Sequence, residues 1–167
     1  MNSLIFILVA VALFIVPFFV FGGGSKGKTK KALVKALDEL AEKNNSTIGQ
    51  TEYWNSSIMG LCNDGKKLFF ITTDENIKKE TVVDLNSFRS SRVNIVSRTV
   101  EGKGNVQRVV EKISLILNPN NVDSRTVELV IYDTKVDGMV LGNELQIVEK
   151  WNVLINDQIA AHQRNNA

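Results

Sequence analysis

The chain has 167 residues, and its 20 basic and 18 acidic side chains give a net charge of only +2 at pH 7. This length fits one ordinary domain with a short additional segment. The balanced charge gives no sign of a nucleic-acid-binding protein, so we predict no nucleic-acid partner. The single histidine, His162, excludes His-based catalytic triads and multi-His metal sites, and the single cysteine, Cys62, excludes an intrachain disulfide.

Residues 4–21 form an apolar run that only Pro17 interrupts, and no charged side chain lies before Gly24. As a helix, this run would extend about 27 Å, close to the roughly 30 Å hydrocarbon core of a bilayer. The sequence therefore predicts an N-terminal transmembrane helix with a glycine hinge over residues 1–24, in contact with the lipid bilayer. A cleaved signal peptide is the alternative, although bulky residues occupy positions 18–21.

Five lysines follow the apolar run, namely Lys26, Lys28, Lys30, Lys31 and Lys35. Positive charge next to a span favours the cytoplasmic side. We therefore predict a single-pass protein of the cell membrane (inner or plasma membrane) whose C-terminal domain lies in the cytoplasm. The same five lysines are candidates to contact anionic lipid headgroups at the membrane surface.

The eight residues that begin at Gly22, GGGSKGKT, match the phosphate-loop pattern GxxxxGK[ST]. In such a site the glycines, including Gly27, shape the loop, Lys28 contacts phosphate oxygens and Thr29 holds Mg²⁺, while Asp133 could supply the second acid. Folds with this loop alternate strands and helices around a parallel sheet, which the rest of the chain does not predict. A small nucleotide-binding protein is therefore the alternative function.

The pattern from residue 29 to residue 44 is helical, because apolar residues recur at the spacing of one helix face. We predict a basic amphipathic helix within residues 25–45. It either packs on its own domain or lies on a membrane or a partner helix. The apolar stripe consists of Leu33, Val34, Leu37, Leu40 and Ala41.

After Ser46 the apolar period changes to two, which predicts strands. The Asn63-Asp64-Gly65 sequence is a strong hairpin signal. Turn signals about ten residues apart predict six or seven strands in a meandering antiparallel sheet, either a barrel or two packed sheets. The predicted strands cover 53–62 (one or two strands), 67–73, 80–85, 92–100, 106–117 and 126–132.

The last predicted element is an amphipathic helix that Asn143 caps, with Gln146 completing a capping-box variant. Its apolar face contains Leu145, Val148, Trp151, Ile155 and Ile159. We expect Trp151 to anchor the core, because large aromatic side chains dominate core burial. Residues 162–167 are predicted to be a polar, fraying tail.

About seven antiparallel strands closed by one C-terminal helix resemble the pleckstrin-homology (PH)-like fold, as in small bacterial PH-like domains next to membrane segments. The hairpin at Asp64, the strand 80–85, the long strands around 102–105 and the helix with Trp151 carry the resemblance. It implies an α+β domain over residues 46–161, mainly antiparallel β, that serves as a binding platform for peptides, proteins or lipid headgroups. Lys66 and Lys67 form too weak a basic signature to carry over phosphoinositide binding.

No catalytic constellation is evident, so we predict a protein that is not an enzyme and that uses no cofactor or metal. Cys62 is expected to be a small buried side chain, and Arg89, Arg92 and Arg98 are either solvated or face an acidic partner. The predicted function is a membrane-tethered cytoplasmic binding or scaffolding domain that recognises a protein partner or the membrane surface. A secreted or periplasmic β domain, released by cleavage, is a further alternative.

Overall fold

The fold was obtained as a computed structural model that describes residues 24–74, 77–102, 105–121 and 123–165. It confirms a mainly antiparallel β protein and the two predicted amphipathic helices, one within residues 25–45 and one after Asn143. The helices are α1 (Gly24–Lys43), the short α2 (Thr134–Asp137) and α3 (Glu144–Asn165), with a 3₁₀ turn at Leu85–Ser87. The strands are β1 (Ile48–Trp54), β2 (Ser57–Cys62), β3 (Lys67–Asp74), β4 (Ile77–Asp84), β5 (Phe88–Gly102), β6 (Asn105–Pro119) and β7 (Val127–Asp133).

The strands form two antiparallel sheets that follow chain order. Sheet A contains β1 to β4 and sheet B contains β5 to β7. Tight turns join the first strands: Asn55, with φ of +44°, lies between β1 and β2, and Gly65, with φ of +69°, lies between β2 and β3. Both dihedrals are in the left-handed region, which glycine and asparagine tolerate best.

The main core lies between the two sheets and α3. Trp151, Tyr132 and Ile155 are fully buried there, together with inward-facing side chains of both sheets. Trp151 is therefore a core anchor, as predicted. Its indole Nε1 also donates to Glu52 Oε2 of β1 at 3.0 Å, which joins α3 to sheet A.

A second apolar cluster joins α1 to the outer face of sheet A, which confirms that this helix packs on its own domain. Leu37 of α1 is fully buried among side chains such as Phe69 and Ile71. A Cβ at Gly60 of β2 would lie 2.8 Å from Leu37 Cδ2, so the absence of a side chain there permits close helix–sheet packing. Because both faces of sheet A are covered, β2 is buried along its whole length.

Helix α3 begins one residue after the predicted cap Asn143 and extends beyond its predicted end. Residues 162–165, predicted as a fraying tail, are helical. His162 Nε2 lies 3.0 Å from the Gly65 carbonyl oxygen, and a Cβ at Gly65 would clash with Gln158 Oε1. The end of α3 is therefore held against the β2–β3 hairpin, which explains why it does not fray.

Strand β6 departs from the predicted alternation. Strict alternation along the strand would place Val109 on the same face as Ile113, but the β5–β6 register shifts so that Val96 pairs with Lys112 and Ser97 with Val110. The extra residue reverses the alternation beyond it, and Val110 packs against the main core.

The prediction of a single-pass membrane protein is corrected. None of the helices in the part of the chain that the structure describes is long and apolar enough to cross a bilayer. Charged side chains are distributed along both α1 and α3. The predicted span, residues 4–21, lies outside the described residues. This finding contradicts the transmembrane part of the predicted fold class and the predicted single-pass membrane localisation.

A candidate recognition cleft between the two sheets

A cleft of about 340 Å³ opens where the β3–β4 hairpin of sheet A approaches β7 and α2. Strand ends and the short helix form its walls, so side chains from sequence positions far apart meet there. We call it the acidic cleft. Its lining residues are Ser56, Ser57, Phe70, Thr72, Thr73, Asp74, Ile77, Lys79, Thr81, Glu128, Val130, Ile131, Asp133, Val136 and Asp137.

One aromatic contact and two hydrogen bonds hold the inner part of the acidic cleft together. The ring of Phe70 stacks on Trp54, with centroids 6.0 Å apart and planes 15° from parallel. The indole Nε1 of Trp54 donates to the Ile131 carbonyl at 2.9 Å, which joins β1 to β7. Ser57 Oγ donates to Thr72 Oγ1 at 3.0 Å, so these two lining hydroxyls are bonded to each other.

A carboxylate network holds α2 at one side of the cleft. Asp133 caps α2, because its Oδ1 accepts from the Lys135 N–H at 2.9 Å. Asp137 Oδ2 accepts in turn from the Asp133 N–H at 2.9 Å. Asn55 Nδ2 donates to Glu144 Oε1 at 2.9 Å and to Asp137 Oδ1 at 3.3 Å, and so links the β1–β2 turn to both acids.

This network places negative charge in a partly desolvated position. Burial, and secondarily the charges of Glu144 and Asp133, raise the pKa of the Asp137 carboxyl above its ordinary value. A neighbouring cation would reverse part of this effect, because it favours the ionised carboxylate. The network therefore suits a cationic ligand group.

The lining as a whole is acidic, with Asp74, Glu128, Asp133 and Asp137 against the single cation Lys79. Glu128 is already paired, since Lys112 Nζ lies 2.7 Å from its Oε1. That hydrogen bond lowers the pKa of the Glu128 carboxyl. The other three carboxylates exceed the charge of Lys79, so the cleft keeps a negative field.

The rim of the cleft is apolar and exposed. Ile77 on β4 is 73% exposed and Val136 on α2 is 51% exposed. Met139 and Val140 follow in the next loop and are 74% and 85% exposed. Ile77 and Val136 both line the cleft, and exposed apolar side chains with a polar surround are typical of protein-interaction sites.

The residues predicted for nucleotide binding are not brought into a phosphate loop. Gly27, Lys28 and Thr29 belong to the first turns of helix α1, and Asp133 caps α2 after the antiparallel strand β7. Gly22 lies outside the described residues. The loop backbone that would bind phosphate is absent from the part of α1 that the structure describes, so the nucleotide alternative gains no support.

The predicted membrane-surface lysines lie along α1. Lys30 and Lys31 are exposed, and Lys30 Nζ stands 5.8 Å from the centre of the Tyr53 ring. Lys35 pairs with Glu39 at 3.6 Å. Lys26 and Lys28 also belong to α1. Contact with lipid headgroups stays a prediction.

Cys62 is buried, as expected from the sequence. Its thiol donates to Asp64 Oδ1 at 2.7 Å, and its sulfur accepts from the Lys67 N–H. Burial, and then the bond to Asp64, raise the pKa of the thiol, which disfavours the reactive thiolate. Lys67 itself donates to the Asn44 carbonyl at 2.6 Å, so it holds the end of α1 to the hairpin.

Sequence reasoning missed most of the acidic cleft. Asp137 and Asn55 are separated by 82 positions, and no local pattern predicts that they meet. One signal was readable in the sequence. Val136, Met139 and Val140 are apolar residues that lie between the last predicted strand (126–132) and the helix after Asn143, outside the apolar faces of both. Within the described residues, no group of three or more His, Cys, Asp or Glu side chains could hold a metal ion.

No protein-family model, no curated protein and no solved structure matches this chain. The PH-like resemblance therefore stays a prediction.

Proposed function

We propose that this protein is a non-enzymatic recognition domain that binds a partner protein in the acidic cleft. The observation that carries the proposal is the combination of a fixed negative pocket with an exposed apolar rim at its mouth. A partner segment with an arginine or lysine next to aliphatic residues matches both parts. Its cation would face Asp133 and Asp137, while its apolar side chains would cover Ile77 and Val136.

The state of the carboxylates supports recognition over catalysis. Asp133 and Asp137 are occupied by backbone N–H groups and by the Asn55 amide. These bonds fix the acids as a static surface that needs little reorganisation when a ligand binds. Preorganised groups of this kind raise affinity, because less side-chain freedom is lost on binding.

A peptide selection tests the proposal. The full chain is used to select from a random display library of twelve-residue peptides, and dissociation constants of the enriched peptides are measured by fluorescence anisotropy. We expect enrichment of basic residues beside aliphatic ones. Affinity should weaken with added salt, because screening reduces charge attraction.

Two charge reversals locate the site. Asp74→Lys changes an exposed acid of the cleft, and Asp38→Lys makes the same change on the exposed face of α1, away from the cleft. We expect Asp74→Lys to weaken binding about tenfold, equivalent to about 1.4 kcal/mol, and Asp38→Lys to change it little. Equal effects of the two variants, or no enriched sequence at all, would contradict the proposal.

A further inference from the structure

Three of the four edge strands in the two sheets are either bonded to another element through a side chain or carry charged side chains. Edge strands attract further strands unless something covers or charges them. Glu52 joins β1 to α3, the Trp54 indole bonds a carbonyl of β7, and β4 presents Lys78 and Lys79 to solvent.

The fourth edge, on β5, is also protected at Ser91. Asn156 of α3 acts there as a neighbouring strand would. Its Oδ1 accepts from the Ser91 N–H at 2.8 Å, and its Nδ2 donates to the Ser91 carbonyl at 3.0 Å. Both outward backbone groups of Ser91 are therefore satisfied by one side chain.

From Val93 onward, none of the described residues covers the β5 edge in this way. Backbone groups alternate along a strand, so those of Val93, Ile95, Ser97 and Thr99 point to the same side as those of Ser91. No strand pairs there in the part of the chain that the structure describes. Residues 93–100 contain neither Lys nor Pro, and Ile95, Val96 and Val100 are 40–44% exposed.

We infer that β5 pairs in antiparallel fashion with β5 of a second copy of this chain. With Val96 on the two-fold axis, Ile95 lies opposite Ser97 of the second copy, and Val93 lies opposite Thr99. β-Branched and small side chains therefore meet along the seam, as strand pairs prefer. One contact satisfies the free edges of both copies and joins two three-stranded sheets into one.

Charge favours this antiparallel arrangement of identical strands. Arg98 lies opposite Asn94 of the second copy, and it keeps its ion pair with Glu111 on its own β6, at 3.0 Å. Parallel pairing in register would instead place Arg98 against the same arginine, which is unfavourable. The β5 edge is a separate surface from the acidic cleft, so this inference does not depend on the proposed recognition function.

Cysteine cross-linking of the full chain tests the inference. Single substitutions to Cys at positions 94 to 99 are oxidised with copper phenanthroline and analysed on non-reducing gels. A disulfide requires Cα atoms within about 7 Å of each other. In an antiparallel pair of identical strands, only the residue on the two-fold axis lies that close to the same residue of the second copy. The wild type reports any contribution of the buried Cys62, and Val153→Cys, on the exposed face of α3, is the matched control.

We expect Val96→Cys to form a disulfide-linked dimer of twice the chain mass. The amount of this dimer should be several-fold greater than for the Cys variants at the neighbouring positions and for Val153→Cys. Adding Ile95→Lys should abolish that band, because it places a charge in the seam. Two results would overturn the inference. One is that Val96→Cys cross-links no more than Val153→Cys. The other is that it cross-links to a species of different mass, which would assign the edge to another protein.

Discussion

Replacing Asn156 with alanine removes the side chain that covers the β5 edge at Ser91. Ser91 is only 7% exposed, so little water can replace the two lost bonds. Each hydrogen bond contributes about 1 kcal/mol, and a poorly solvated, unpaired backbone group costs up to about 3 kcal/mol. We therefore expect Asn156→Ala to lower the free energy of unfolding by about 2–3 kcal/mol.

Urea unfolding followed by tryptophan fluorescence measures this loss, since Trp54 and Trp151 are both buried. The slope with urea should be unchanged, because the surface exposed on unfolding hardly changes. Asn152→Ala provides a graded comparison. It removes the 2.8 Å bond from the Ser91 hydroxyl to the Asn152 side chain but leaves the backbone pair, so we expect a loss of about 1 kcal/mol.

Val153→Ala, on the exposed face of the same helix, corrects for general effects of shortening a side chain on α3. The Asn156 side chain would not have the proposed role if the free energies of unfolding of Asn156→Ala and Val153→Ala differed by less than about 0.5 kcal/mol, the usual range for surface changes. That result would mean that water or a local shift satisfies the Ser91 backbone as well as the amide does.

Three further changes test the packing and charge of the fold. Gly60→Val should destabilise by about 1–3 kcal/mol in thermal melts, because the side chain would push α1 from sheet A; no change in melting temperature would contradict this close packing. Trp54→Phe should lose about 1 kcal/mol through the missing bond to the Ile131 carbonyl, seen as a lower urea midpoint. Lys112→Met should remove the stabilisation that comes from the Glu128–Lys112 pair. In the wild type this stabilisation is fully present above the ordinary pKa of a glutamate, and it is lost as the pH falls through the lowered pKa of Glu128 in the folded protein. Urea midpoints of variant and wild type should therefore converge in acid, and a constant difference would argue against this pairing.

The regular part of the fold was predictable because local patterns determine it. The Asp64-Gly65 turn, strand β3 and the apolar face around Trp151 all follow from spacing and turn chemistry. The predicted strand boundaries were wrong where apolar and charged residues are mixed in the sequence. Strand β4 was predicted to begin at residue 80, because residues 78–80 are charged. It begins at Ile77, since pairing with β3 extends the strand through these exposed charged residues.

Tertiary contacts decided what local patterns could not. The end of α3 is polar and was predicted to fray, yet His162 and Gln158 lie against the Gly65 turn. Strand β2 was expected to alternate, but α1 covers its second face. The acidic cleft was missed for the same reason, because Asn55 and Asp137 meet only when the sheets close on each other.

The bond between Trp54 and Ile131 has a consequence for how the molecule assembles. Within each sheet, every strand pairs with its neighbour in sequence, so the hairpins can form early at small loop-closure entropy. The Trp54 indole reaches across 77 positions and can bond only after both sheets exist. We expect its fluorescence to change in the last kinetic phase of folding, after the hairpins have formed, as the two halves dock.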